Sequence, residues 1–257
     1  MKRHNNLIAL VLMPLLLLAC STTSQNSVIQ TEEEETAIYD PFEETNREIF
    51  AFNAAFDDKV LHPTLKGYRA VVPVELRNGL NNFLVNLRTP MVLGNELLQG
   101  DVEGARIALL RGVINTMVGF GGFFDFAGKE GMPHQSEDFG QTLAVWGFDH
   151  GPYLVVPFIG PSSTRDYIGY IVELYADPLR FYLYNIDEDH WNYARAGLDY
   201  LRIRNDLMDT LEDLRNNSID YYASTRSIYY QRRAAQIADG KIQTQATDDL
   251  DIPDYDE

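Results

Sequence analysis

The stretch Gly112–Gly128, GVINTMVGFGGFFDFAG, decides how this chain is read: it holds five glycines and four phenylalanines, with Asp125 its lone acid. From Gly112 to Phe124 no residue is charged. Glycine within a helix costs roughly 1 kcal/mol against alanine, so this density predicts a bend, a close backbone approach or mobility. A second stretch poor in charge runs from Phe139 to Ser163, interrupted by Asp149 and punctuated by Gly140, Gly147, Gly151 and Gly160. Neither stretch alone approaches the roughly twenty apolar residues a membrane-spanning helix needs. They read either as a buried helix with core loops or as helices lying in one leaflet with apolar faces left uncovered by protein.

Outward from these stretches the patterning is helical. Asp40-Pro41 opens a first helix to Val60, with Phe42, Ile49, Phe52, Phe56 and Val60 on one face. A second helix is predicted over Pro73 to Leu87, ended by Thr89-Pro90, and a third over Met91 to Leu98, ended near Gly100. Asp101 caps a fourth that runs through Ala105, Leu109, Val113 and Met117. His190 to Leu214 and Ser218 to Ala238 complete the helical set, and Tyr153 to Ile159 is the best strand signal. The fold class is mainly α.

The N-terminus is an export signal. Lys2-Arg3 precede an apolar run from Leu7 to Leu18, and Leu17-Leu18-Ala19-Cys20 resembles a lipoprotein processing box. Residues 1–19 are then the signal peptide, and Cys20 is the first mature residue and the site of lipidation. Several acyl chains anchor far more firmly than one, at about 0.8 kcal/mol per buried methylene. Ser21, where an aspartate would favour inner-membrane retention, points to the outer membrane. Residues 20–39 form an acidic flexible tether, 40–240 the helical domain and 241–257 an acidic disordered tail.

The formal net charge of −17 argues against nucleic-acid binding, which requires a basic face. One cysteine excludes an internal disulfide. No Gly-x-Ser-x-Gly elbow occurs, Gly119-Phe120-Gly121 fails as a dinucleotide loop at Phe124, and His4, His62, His134, His150 and His190 never pair at metal-ligand spacing. No catalytic residue, metal or cofactor is assigned, and the chain is read as no enzyme.

The ordered series Tyr39-Asp40-Pro41-Phe42-Glu43, Asn46-Arg47, Phe52-Asn53, Arg77-Asn78-Gly79-Leu80, Asn95-Glu96-Leu97-Leu98-Gln99-Gly100, Asn115-Thr116, Gly119-Phe120-Gly121-Gly122 with Asp125, Phe139-Gly140-Gln141-Thr142-Leu143, Trp146-Gly147, Gly151-Pro152-Tyr153 and Gly160-Pro161-Ser162 with Arg165-Asp166 resembles the MlaA (VacJ) outer-membrane lipoproteins. Ala144 and Asp149-His150 depart from that family's glycine-rich pattern. The resemblance implies a single ring-like helical domain lying in one leaflet, with long glycine-rich loops and a central polar channel, usually on a trimeric porin. It implies removal of mislocalised phospholipid from the outer leaflet, handed to a periplasmic lipid carrier. A lumen of that kind needs polar groups facing water and apolar groups facing lipid. Candidate lumen residues are Asn46, Arg47, Asn53, Asn115, Arg165 and Asp166, each with a helix cap or internal hydrogen bond as the alternative. Phe120, Phe123, Phe124 and Phe126 are candidates for membrane-facing or ring-packing surface. Gly140, Gly147 and Gly151 are candidate hinges of a gating loop. The rival readings are a structural lipoprotein bracing a porin or the envelope, and a lipid-cleaving enzyme.

Overall fold

Asp40 does not cap the first helix. In the computed structural model, which describes residues 39–238, α1 begins at Glu43 (Glu43–Phe56) behind Phe42, which supplies no side-chain cap. The Asp40 carboxylate instead accepts hydrogen bonds from Asn46 Nδ2 at 2.8 Å, Tyr222 Oη at 2.5 Å and Arg226 Nη1 at 2.5 Å. Charge-assisted donors outcompete a helix N–H for a carboxylate, which moves Asp40 from a local role to a long-range one. The signal peptide, Cys20, most of the tether and the acidic tail lie outside the described residues.

The first helical period runs further than Val60. A π-helical turn, Asp57–Leu61, joins α1 directly to α2 (His62–Val71). Arg204 grips both oxygens of Asp57 and thereby pins this turn from the other end of the sequence. The next three helices follow the expected punctuation. Pro73 precedes α3 (Val74–Leu87), and Pro90 sits in the first turn of α4 (Thr89–Gln99), where its missing N–H costs nothing. The expected start at Met91 is therefore two residues late. Gly100, at φ +80°, ends α4, and Asp101 Oδ1 accepts from Gly104 N at 2.8 Å to start α5 (Val102–Met117).

After the glycine-rich turns come a short helix α6 (Phe126–Lys129), capped by Asp125, and α7 (Phe139–Val145), capped by Asp138. The single strand expected over Tyr153–Ile159 is a hairpin. β1 (Tyr153–Val156) pairs antiparallel with β2 (Gly160–Ser163), Tyr153 opposite Ser163 and Val156 opposite Gly160. Phe158, at φ +64°, reverses the chain between them. Ser163 then caps α8 (Thr164–Ala176), and Asp177 caps α9 (Pro178–Asn185). The period expected to run unbroken over His190–Leu214 is split at Leu207 into α10 (His190–Asp206) and α11 (Met208–Asn217), and Asp220 caps α12 (Tyr221–Ile237). The fold is mainly α, as expected.

The buried centre is aromatic. Tyr153, Val155 and Tyr222 form it, with Ile49, Phe50, Tyr229 and Tyr230 packed around them, so α1, the hairpin and α12 share one core. Elsewhere apolar residues stay outside. Leu97, Val102, Met117, Val118 and Phe120 are all exposed on α4, α5 and the following turn, and Tyr175, Tyr184, Trp191 and Tyr193 are exposed on α8 to α10. No helix among the described residues is long and apolar enough to cross a membrane.

Candidate functional site

The six polar residues singled out from the sequence fall into three separate clusters. The first sews α1 to the hairpin. Asn46 donates to Tyr153 O at 3.1 Å and accepts from Val155 N at 2.9 Å; Asn53, two turns on, donates to Val156 O at 3.0 Å and accepts from Phe158 N at 2.8 Å. The two carboxamides replace the edge-strand partner that β1 lacks, so of their two possible roles the structure shows internal hydrogen bonding. Arg47 turns the other way. It pairs with Glu43 and Asp220 at 2.8 and 2.7 Å, lies 4.4 Å over the Tyr222 ring, and keeps 41% of its side chain exposed.

The second cluster locks α7, α8 and α12 together. Arg233, on α12, bridges Asp138 at 2.5 Å and Asp166 at 2.9 Å, while Tyr229 donates to Asp166. Arg165 pairs with Asp166 at 3.0 Å and donates to Phe148 O at 3.3 Å. Burial alone would raise the Asp138 and Asp166 carboxyls, but Arg233 and its hydrogen bonds outweigh that and hold both below the ordinary carboxylate range. Gly140 belongs here as well. It lies within α7, and a Cβ built on Gly169 of α8 would stand 2.4 Å from Gly140 N. Gly140 thus serves a close helix crossing, whereas Gly147 (φ +90°) and Gly151 (φ +64°) occupy backbone conformations that favour glycine on either side of Phe148–His150.

The third cluster holds the glycine-rich turn. Asn115 donates to Asp125 Oδ1 at 2.9 Å and accepts from Ala127 N at 3.0 Å, and Arg111 pairs with Asp125 at 3.1 Å. Burial pushes the Asp125 carboxyl up, and the N–H of Gly128 with Asn115 and Arg111 brings it below its usual value. Asn86 donates to Gly121 O at 3.2 Å, and no side chain fits at Gly122, where a Cβ would stand 2.3 Å from that of Asn86. Among the phenylalanines, Phe120 is 84% exposed while Phe124 and Phe126 are partly so. The Phe123 ring lies over Gly79 of α3, where any Cβ would collide with it.

Beside this third cluster opens a cleft of about 520 Å³, lined by Asn78, Asn81 and Asn82 of α3, Arg111 of α5, and Asp125, Lys129 and His134 of the following segment. An inner pocket of about 30 Å³ shares Asn82, Arg111, Asp125 and His134 and ends among Val85, Val92, Ile107 and Ala108. Of the residues lining the two cavities, the sequence reading names only Asn115 as a candidate site residue, with Asn78 and Asp125 quoted within motifs. The missed signal was asparagine at positions 78, 81, 82 and 86, which helical spacing places on one face of α3. The described residues contain no group of three or more His, Cys, Asp or Glu placed to hold a metal.

The profile of the family described as MlaA lipoprotein matches residues 38–236. The Intermembrane phospholipid transport system lipoprotein MlaA of Escherichia coli K12 is 31% identical over 232 residues, covering 89% of this chain and 90% of the relative. Its namesake in Haemophilus influenzae is 32% identical, covering 79% and 81%. An uncharacterised Rickettsia felis protein is 34% identical over 78% of each chain. A solved structure described as the structural basis for maintenance of bacterial outer membrane lipid asymmetry superposes with a TM-score of 0.67 at 32% identity, covering 77% of this chain and 98% of that one. This chain belongs to the MlaA lipoprotein family.

Proposed function

We propose that this protein removes phospholipids mislocalised to the outer leaflet of the outer membrane and passes them to a periplasmic lipid carrier, maintaining lipid asymmetry. The observation that carries this reading is the family match over nearly the whole described chain, with relatives named for intermembrane phospholipid transport. The distribution of side chains supports it. Exposed aliphatic and phenylalanine side chains on α4, α5 and the turn after them are costly in water but stable against acyl chains, while Asn46, Asp138 and Asp166 find partners within the fold.

In this reading Cys20 carries the lipid anchor, and the domain lies in the inner leaflet as a ring around a polar path, held by a trimeric porin. Arg47, with its side chain partly in water, is the one of the six polar candidates placed to meet a passing head group, and Asn46, Asn53, Asn115, Arg165 and Asp166 hold the walls. The gate is the short segment between Gly147 and Gly151, tied down by Arg165 through Phe148 O. No covalent chemistry is required of any residue.

The test is transfer of labelled phosphatidylethanolamine from vesicles bearing the lipidated protein and its porin to the soluble carrier. Transfer that depends on the protein supports the proposal. Absent transfer, with the porin destabilised when the protein is removed, would establish the bracing role instead, and hydrolysed label would establish an enzyme.

A further inference from the structure

The Arg111 guanidinium, the Asp125 carboxylate and the Asn115 amide satisfy one another, but the outer wall of the adjoining cleft is different. Asn81 accepts from Arg202 Nη1 at 3.2 Å through Oδ1, which orients its amide and leaves the Nδ2 donor unused. Asn78 makes no hydrogen bond among the described residues. Lys129 pairs with no carboxylate there; its Nζ lies 5.3 Å over the Phe126 ring. Two carboxamide donors and one ammonium therefore line one opening without a hydrogen-bond acceptor among the described residues, the ammonium lying over the partly exposed Phe126 ring.

The charges on the cleft wall leave one cation unmatched: Arg111 pairs with Asp125, and Lys129 has no carboxylate partner among the described residues. His134, on the same wall, is held below its ordinary pKa first by desolvation and then by Arg111. The cleft's 520 Å³ falls within the range of about 300–1,000 Å³ common to small-ligand clefts. The inner pocket, at about 30 Å³, admits a water but no acyl chain. Two amide donors and an ammonium beside the Phe126 ring fit the phosphate of an amphiphile whose chains stay outside.

We propose that this cleft binds a phosphate-bearing head group, with Lys129 supplying the charge and Asn78 and Asn81 the hydrogen bonds. The inference rests on the phospholipid-transport reading and gives it a specific subsite. It also assigns Arg111 and Asp125 to holding the wall, and Arg202 to positioning Asn81.

The experiment uses the full lipidated protein extracted in mild detergent, with native mass spectrometry to count retained phospholipid. Lys129→Glu and Asn81→Asp are expected to retain at least five-fold less than wild type at unchanged melting temperature. Lys129→Arg should retain the wild-type amount, and so should Tyr193→Ser at an exposed position outside the cleft lining. Retention by wild type and by both cleft variants alike overturns the cleft while leaving the transport reading standing. No phospholipid on the wild type, together with no transfer to the carrier, removes the transport reading and the cleft with it. A second arm titrates inorganic phosphate into lipid-stripped protein by ³¹P line broadening. Saturable broadening abolished by Lys129→Glu, with no lipid retained beforehand, assigns the cleft to free phosphate and overturns the lipid assignment; retained lipid lost with Lys129→Glu supports it.

Discussion

The face where α12 meets α1, α7 and α8 differs from the face formed by α3, α5 and the glycine-rich turn in what each does with polarity. On the first, carboxylates are matched to guanidiniums or hydroxyls: Asp40 to Arg226 and Tyr222, Asp138 and Asp166 to Arg233. On the second, Asn78 and Lys129 line an open cleft with no hydrogen-bonded partner, and Phe120 is 84% exposed. Matched ion pairs and unpaired polar or apolar groups thus reside on different sets of helices. A sealed network holds the frame so that the other side can present unsatisfied groups without unfolding.

The largest expected effect comes from breaking the sealed side. Arg233→Ala takes from half-buried Asp138 its ion-pair partner and leaves Asp166 with Arg165 and Tyr229, and urea unfolding should show a loss of about 3 kcal/mol, the lower end for removing one partner of a buried pair. Gly169→Ala should cost about 3 kcal/mol by thermal denaturation, because its Cβ would stand 2.4 Å from Gly140 N, which is backbone and cannot step aside. Asn46→Ala should cost about 1–3 kcal/mol, since it orphans the Val155 N–H and the Tyr153 carbonyl.

Acid sharpens the same contrast. The Asp138 and Asp166 carboxyls are depressed in the folded state, so their contribution is present above the unfolded value of about 4 and is lost as pH falls below it. A pH series of melting temperatures should therefore fall below about pH 4, and the fall should be smaller in Arg233→Gln, which loses most of the depression that drives it. The smallest effect belongs to the open side. Phe120→Ser should change stability by less than about 0.5 kcal/mol while weakening retention on liposomes in a flotation assay.

How much of this was legible depended on the range of each interaction. Pro73, Pro90, Gly100 and Asp101 act within one helical turn, and α3, α4 and α5 were readable from them to within two residues. Asp40 carries the same local signal as Asp101, yet its partners Tyr222 and Arg226 lie more than 180 residues away, and no local rule anticipates them. The hairpin was half read. Tyr153–Val156 has strand composition, whereas Gly160-Pro161-Ser162-Ser163 does not, and it pairs with a strand that Asn46 and Asn53 hold from its other edge. Helices α8 and α9 follow caps at Ser163 and Asp177, signals present in the sequence but masked by the apolar run before them.

The candidate site was less legible than the fold. Asn46, Arg165 and Asp166 were visible as a polar set, but the choice between lumen and internal bonding turns on orientation, which depends on α12 packing across the hairpin. Asn78 stands in a family motif whose residues gave no role, Asn81 and Lys129 in none, and their shared property is a donor with no hydrogen-bond acceptor among the described residues. Such a property becomes visible only once every neighbour has been placed.

In the proposed function this protein withdraws phospholipid from the cell surface. The most direct measurement is the amount of phospholipid on intact cells open to added phospholipase, in a strain lacking the protein and in that strain restored with wild type or Lys129→Glu at equal abundance. The account predicts raised surface phospholipid without the protein, full correction by wild type and poor correction by Lys129→Glu. Surface phospholipid unchanged by loss of the protein would contradict it.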